Sequence, residues 1–143
     1  WWLHDAFRVS KSPGALLCFC RWDTEEVFRT AIAAAGYRIR SQVIWDRGSH
    51  GMGDTRSAFG PRHDTIWFAT KGTFAFPGKR PPSVICVQRV MRGQVHPTEK
   101  PVRLMRVLLR AVTPSRGMVL ALRKGKFPLA VLQLRWERGG DVR

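Results

Sequence analysis

Hydrophobic and polar positions change period several times along this chain, and each change marks a predicted element. Trp2, Leu3, Ala6, Phe7 and Val9 fall close to i, i+3/i+4 spacing, which predicts a helix over Trp2–Val9. Ser12-Pro13-Gly14 stops it, because proline removes a donor and glycine permits the turn. Ala15-Leu16-Leu17-Cys18-Phe19-Cys20 is a continuous apolar run of strand length, as expected for a strand buried on both faces of a parallel sheet. A second helix follows over roughly residues 25–35, capped by Asp23 or Thr24. Glu25 and Glu26 sit in its first turn, where the helix dipole favours negative charge. Gly36 ends it, and residues 38–45 read as a second strand. Helix, strand, helix, strand is the rhythm of an α/β doubly wound sheet.

Residues 46–56 form a Gly-rich polar loop with no period. A third strand is predicted over residues 64–70, closed by Lys71-Gly72. Residues 73–95 are irregular, broken by Pro77, Pro81 and Pro82, with room for a short strand at 83–88. His96-Pro97-Thr98-Glu99-Lys100-Pro101 opens a third helix, with Thr98 as its cap and Pro101 inside the first turn. Val102, Met105, Leu108, Leu109 and Val112 share its apolar face, and Arg103, Arg106 and Arg110 lie toward the other. Thr113-Pro114 ends that helix, residues 117–120 start another buried strand, and residues 129–134 have the look of a helix.

Composition narrows the class. The 143 residues are 44% hydrophobic and include six Trp, which excludes a disordered basic tail and suggests one domain. Lys and Arg number 25 against 10 acids, a formal charge of +15 that points to a polyanion, most often nucleic acid. No apolar run is long enough for a bilayer, and no signal-peptide order opens the chain. Three cysteines without metal spacing argue against a disulfide framework and make a reducing cytoplasm the default.

Candidate chemistry concentrates in two basic stretches. The loop from residue 47 to 62 carries Arg47, Arg56 and Arg62 among four glycines, a composition suited to close approach and phosphate pairing. From Lys79 to Arg116, nine Lys/Arg, Lys79 and Arg80 among them, face Glu99 alone. Phosphate neutralisation by such a stretch predicts binding that falls steeply with salt. Other residues read as structural. Asp23 belongs to a helix cap rather than to a carboxylate pair with Asp5, and Cys18 and Cys20 read as core. Trp45 and Trp67 also read as core, and His4, His50 and His63 lack metal spacing.

Six segments taken in order resemble one family. They are Lys11–Gly14, Ile44-Trp45-Asp46, Gly51-Met52-Gly53, Arg62-His63-Asp64, Ala69-Thr70-Lys71-Gly72 and His96–Pro101. Together they resemble the S-adenosylmethionine-dependent DNA amino-methyltransferases that modify adenine N6 or cytosine N4, in the permuted branch whose catalytic half comes first. The resemblance implies an α/β, Rossmann-like methyltransferase sheet with helices on both faces, incomplete at the N-terminus. It implies S-adenosylmethionine as cofactor, double-stranded DNA as partner, no metal and no membrane, and a place in restriction–modification or a prophage. By transfer, His96, Thr98 and Lys100 contact the cofactor, and free N–H groups at that helix start suit its carboxylate. Arg47, Arg56, Arg62, Lys79 and Arg80 are the implied DNA contacts.

The same resemblance divides the chain into a catalytic half (1–72), a segment like a target-recognition region (73–95) and the start of a cofactor-binding half (96–143). Two departures stand out. The family's Asp/Asn/Ser-Pro-Pro-Tyr/Phe/Trp loop, which holds the target amino group and stacks on the flipped base, does not occur here. After residue 120 the family continues with an acidic, Gly-rich cofactor turn, whereas this chain reads Ala121-Leu122-Arg123-Lys124-Gly125-Lys126. The expectation is therefore a methyltransferase fragment, entered late and degenerate or frame-shifted after 120, inactive alone and with no catalytic residue of its own. The rival from another class is a non-catalytic basic DNA-binding remnant or recognition module.

Overall fold

A computed structural model describes residues 2–93, 99–122 and 130–132. The elements run α1 (Trp2–Val9), β1 (Gly14–Cys20), α2 (Glu25–Ala34), β2 (Arg38–Asp46), β3 (His63–Lys71), β4 (Val84–Cys86), α3 (Val102–Val112), β5 (Leu120–Leu122) and β6 (Ala130–Leu132). The strands form one sheet of order β4-β2-β3-β1-β6-β5.

Every residue of β1 is buried, because helices cover both faces of the sheet. The alternation of strand side chains divides the core in two. Leu16, Cys18 and Cys20 of β1, with Trp67 and Ala69 of β3, pack under α1 and α2 through Leu3, Ala6, Phe28 and Ile32. Ala15, Leu17 and Phe19, with Ile66 and Phe68, pack under α3 through Leu104, Leu108 and Val112. Helices on both faces are thus as expected.

Strand direction is not. The apolar run of β1 suggested parallel neighbours, yet β1 is antiparallel to both β3 and β6, and β2 is antiparallel to β3. Among the described strands only the β2–β4 pair is hydrogen-bonded in parallel. Continuous apolarity reports burial on two faces, and here helix layers supply that burial whatever the strand direction.

Two helix ends also differ from expectation. Thr24 occupies the N-cap position of α2, but its side chain donates back to the Arg21 carbonyl at 3.2 Å instead of capping the helix. The N-cap of α3 is Pro101, so that proline precedes the helix instead of standing in its first turn, while Thr98, expected as the cap, lies outside the described residues. On α3 the buried stripe is Leu104, Leu108 and Val112, while Val102 is exposed. Leu104, Leu108 and Val112 stand four residues apart on one face of α3, and Val102 falls off that face. Gly36 does end α2, with φ +107, and an added Cβ there would press on the Phe7 ring.

The C-terminal elements are short. Residues 117–119 lie outside any strand, and β5 spans only Leu120–Leu122, half-buried at its ends. Residues 130–132, expected to be helical, form β6 between β1 and β5, with Leu17 opposite Val131. A short stretch apolar but for Gln133 fits either period, and the open hydrogen-bonding edge of β1 decides for strand. No helix among the described residues is long and apolar enough to cross a membrane.

Candidate functional site

The C-terminal ends of β1, β2 and β4 and the start of β3 meet at one end of the sheet, since Cys20 pairs Thr65, Asp46 pairs His63 and Asp46 also pairs Cys86. Ligands of α/β sheets bind outside strand ends of this kind. The segment leading into α3 delivers Lys100 to the same place. Its ammonium donates to Asp64 Oδ2 at 2.8 Å and lies 5.0 Å from the Trp45 ring centroid and 5.2 Å from that of Phe19. Two ring faces and a carboxylate hold one cation, each ring adding on the order of 0.5–2 kcal/mol.

Asp64 serves a second cation as well. Arg47 Nη1 is 3.7 Å from Asp64 Oδ1, and Arg47 Nη2 donates to the Pro61 carbonyl. Lys100, Asp64 and Arg47 are all largely buried, with side chains 20%, 16% and 18% exposed. The cluster therefore holds two positive charges against one negative. Arg47 Nε is buried without a hydrogen-bond partner among the described residues. Two cations sharing one carboxylate, with an unpartnered N–H donor beside them, are suited to receiving an anionic group. Next to it, α3 begins without a side-chain cap, so its first backbone N–H groups add donors at the same end.

Trp45 forms the wall of this site because its own polar atom is satisfied elsewhere: Nε1 donates to the Val87 carbonyl at 2.7 Å. That bond ties β2 to the residue after β4.

A long loop, residues 47–62, rises from the same end between β2 and β3. Its stem is closed by Arg62, which grips Asp46 with two bonds of 2.8 and 2.9 Å, and by the Arg47 N–H to the Arg62 carbonyl at 3.0 Å. The Arg62 hydrogen bonds, helped by the Gly48 N–H, hold the Asp46 carboxyl down at about 2. Gly51 N–H closes the next rung on the Pro61 carbonyl at 2.8 Å. Beyond it, Asp54 accepts from the N–H groups of Arg56 and Ser57 and from the Ser57 hydroxyl, and these bonds lower its pKa.

The sequence-predicted residues separate accordingly. Lys100 stands in the cluster, whereas His96 and Thr98 lie outside the described residues. Arg47 and Arg62, expected to meet DNA, have their guanidinium groups engaged within the loop stem. Arg56, Lys79 and Arg80 are exposed. Arg103, Arg106 and Arg110 line the exposed side of α3. Lys71, within one of the quoted motifs, acts on α1: its ammonium donates to the Phe7 and Ser10 carbonyls at 2.6 and 2.8 Å.

Sequence reasoning did not single out Asp46 and Asp64 as site residues. The available signal was their position. In a chain with 10 acids, these two flank the Gly-rich loop at the strand ends. Among the described residues no group of His, Cys, Asp and Glu is arranged for a metal ion.

Comparison with known proteins gives three findings. A family model described as DNA methylase matches residues 1–120. YubD of Escherichia coli (strain K12), which bears the name of a proposed methylase, is 27% identical over 124 residues, covering 83% of this chain and 52% of YubD. The crystal structure of the M1.HpyAVI–SAM complex superposes with a TM-score of 0.62 at 13% identity, covering 78% of this chain and 58% of that one. The chain thus spans about half the length of these relatives, and the structural likeness establishes a methyltransferase-type fold.

Proposed function

This chain belongs to the DNA methylase family, and on that footing we propose that it forms part of a DNA amino-methyltransferase acting on adenine N6 or cytosine N4 with S-adenosylmethionine. The observation that carries the proposal is the Lys100–Asp64–Arg47 cluster, whose surplus charge and orphaned Arg47 N–H fit the carboxylate of the cofactor's amino-acid end. The bound cofactor would supply an electrophilic methyl group on a sulfonium centre.

The chain's own residues bind and orient. Lys100 and Arg47 hold the anionic end, the start of α3 adds N–H donors, and Phe19 and Trp45 wall the site against water. His96 and Thr98 join Lys100 as proposed cofactor contacts. Arg56, Lys79 and Arg80 meet phosphates of double-stranded DNA, while Arg47 and Arg62 set the loop that presents Arg56. In this proposal residues 1–72 belong to the catalytic half, 73–95 to target recognition and 96–143 to the cofactor half. The 143 residues bind without turnover, because no Asp/Asn/Ser-Pro-Pro-aromatic tetrapeptide occurs in them to accept hydrogen bonds from the target amino group.

Titrating a labelled duplex at several salt concentrations tests the DNA part. The expected result is a log–log slope of several phosphates' worth of counterion release; salt-independent binding or none would sink it. Tritiated S-adenosylmethionine tests the catalytic part, with no label expected in DNA; turnover by the isolated chain would overturn that statement.

A second reading, a non-catalytic DNA-binding module, is favoured by Ala121, which stands in β5 where the family resemblance calls for an acid. The two readings part on cofactor binding.

A further inference from the structure

The loop of residues 47–62 carries its largest apolar side chains on the outside. Phe59 is 102% exposed and Met52 94%. Isolated exposed hydrophobics are ordinary on a protein surface. These two share one loop with the exposed Arg56, and that loop has a hydrogen-bonded frame. The Asp46–Arg62 and Gly51–Pro61 bonds close its stem, and the Asp54 carboxylate organises the turn at residues 54–57. Gly60 lies so close to His50 that an added Cβ would sit 2.9 Å from the His50 Cβ, so one strand of the loop rests on the other beside Phe59. The frame fixes a fold in which Phe59 and Met52 find no place in either core.

Charge limits what such a tip can meet. Between residues 47 and 62, Arg47 and Arg62 are paired with Asp64 and Asp46, and Arg56 stands exposed next to the Asp54 turn. The whole chain is at +15. A strongly cationic chain with an apolar loop tip suits a partner that combines phosphates with flat apolar faces. Nucleic acid has that combination, and protein wedges of Phe or Met are known to enter between base steps and unstack them. The loop also leaves from the same sheet end as the anion site, through Arg47, which shares Asp64 with Lys100.

We propose that Phe59, on the same loop as the exposed Met52, inserts against the base stack of duplex DNA while Arg56 contacts the adjacent phosphates. The proposal rests on the DNA reading given above and adds a base-contacting role that the arginines alone would not have. An aromatic platform of this kind contributes through stacking and apolar contact, neither of which releases counterions. The wedge therefore raises affinity without changing the salt slope, whereas Arg56 changes the slope.

The full chain is titrated into a short mixed-sequence duplex carrying several 2-aminopurines, read by anisotropy and by 2-aminopurine fluorescence. Wild type is expected to brighten the 2-aminopurine as bases unstack. Phe59→Ala is expected to lose most of that signal and about tenfold or more in affinity with an unchanged salt slope. Phe59→Trp retains both, and Arg56→Ala lowers the slope by about one phosphate. Circular dichroism confirms folding of each variant, which full exposure of both side chains makes secure.

Wild-type binding with equal affinity and fluorescence for Phe59→Ala overturns the wedge while leaving the DNA reading intact. No duplex binding by wild type overturns the DNA reading and the wedge together. Self-association that depends on Phe59, with no effect on duplex binding, assigns the tip to a second copy of this chain and also overturns the proposal.

Discussion

The Lys100 ammonium sits 2.8 Å from Asp64, a carboxylate that Arg47 also approaches to 3.7 Å. One acid at the start of β3 thereby fixes both the segment before α3 and the loop after β2. Removing Asp64 leaves two cations facing each other in a largely dehydrated site, which costs more than the loss of either one.

Asp64→Ala is accordingly expected to lower stability by about 2–3 kcal/mol in urea unfolding, and Lys100→Met by less. The Met side chain keeps apolar contact with the Trp45 and Phe19 rings while removing the charge. Equal stability of Asp64→Ala and wild type would show that the cluster does not hold the two segments.

The stem of the loop should respond to acid in a predictable direction. Asp46 is held at about 2 by Arg62, below the ordinary carboxylate value of about 3.9. A lowered folded-state value means the contact contributes fully above about pH 4 and is lost as pH falls through about 2. Carboxylate NMR should show Asp46 titrating near that low value, and Arg62→Gln should move it upward. An Asp46 titration unchanged by Arg62→Gln would remove the stem contact from the account.

Thiol reactivity separates the cysteines by depth. Burial, then the charges of Glu25 and Asp64, push the Cys20 thiol up to about 12, and burial raises Cys18 further. Cys86 is exposed. At neutral pH a thiol reagent should label Cys86 alone in the folded chain and all three cysteines in denaturant. Rapid labelling of Cys18 or Cys20 in the folded chain would contradict the central position of β1.

These particulars show what the sequence made legible. The unbroken run of β1, the Glu25–Glu26 helix start and the arginine stripe of α3 are local patterns, and each produced its element. Strand direction was not legible, because two-sided burial from helices imitates the pattern of a parallel sheet. Nor was the β6 strand, since a short stretch with five apolar residues and Gln133 fits either period until a neighbouring edge is present. In the site, Lys100 was visible through its motif. Its partner Asp64 is 36 residues away and became a site residue only when β3 brought it to the end of β2. The same holds for Arg47 and Arg62, whose internal partners, Asp64 and Asp46, a charge pattern does not reveal.

Trp45 offers a test of the wall. Its indole N–H satisfies the Val87 carbonyl in a buried position. Trp45→Phe keeps an apolar ring but leaves that carbonyl unpaired, so a loss of about 1–3 kcal/mol is expected in thermal or urea unfolding. A neutral substitution would mean that water replaces the bond, and the β2–β4 end would then be more open than described.

The central claim, that the sheet end around Lys100 is an S-adenosylmethionine site, is most directly tested by isothermal titration of the cofactor into the chain and into Lys100→Ala. The account predicts saturable heat with wild type and an affinity weaker by about tenfold or more with Lys100→Ala, both proteins being folded by circular dichroism. No heat with wild type, or equal affinity for the two, would contradict it.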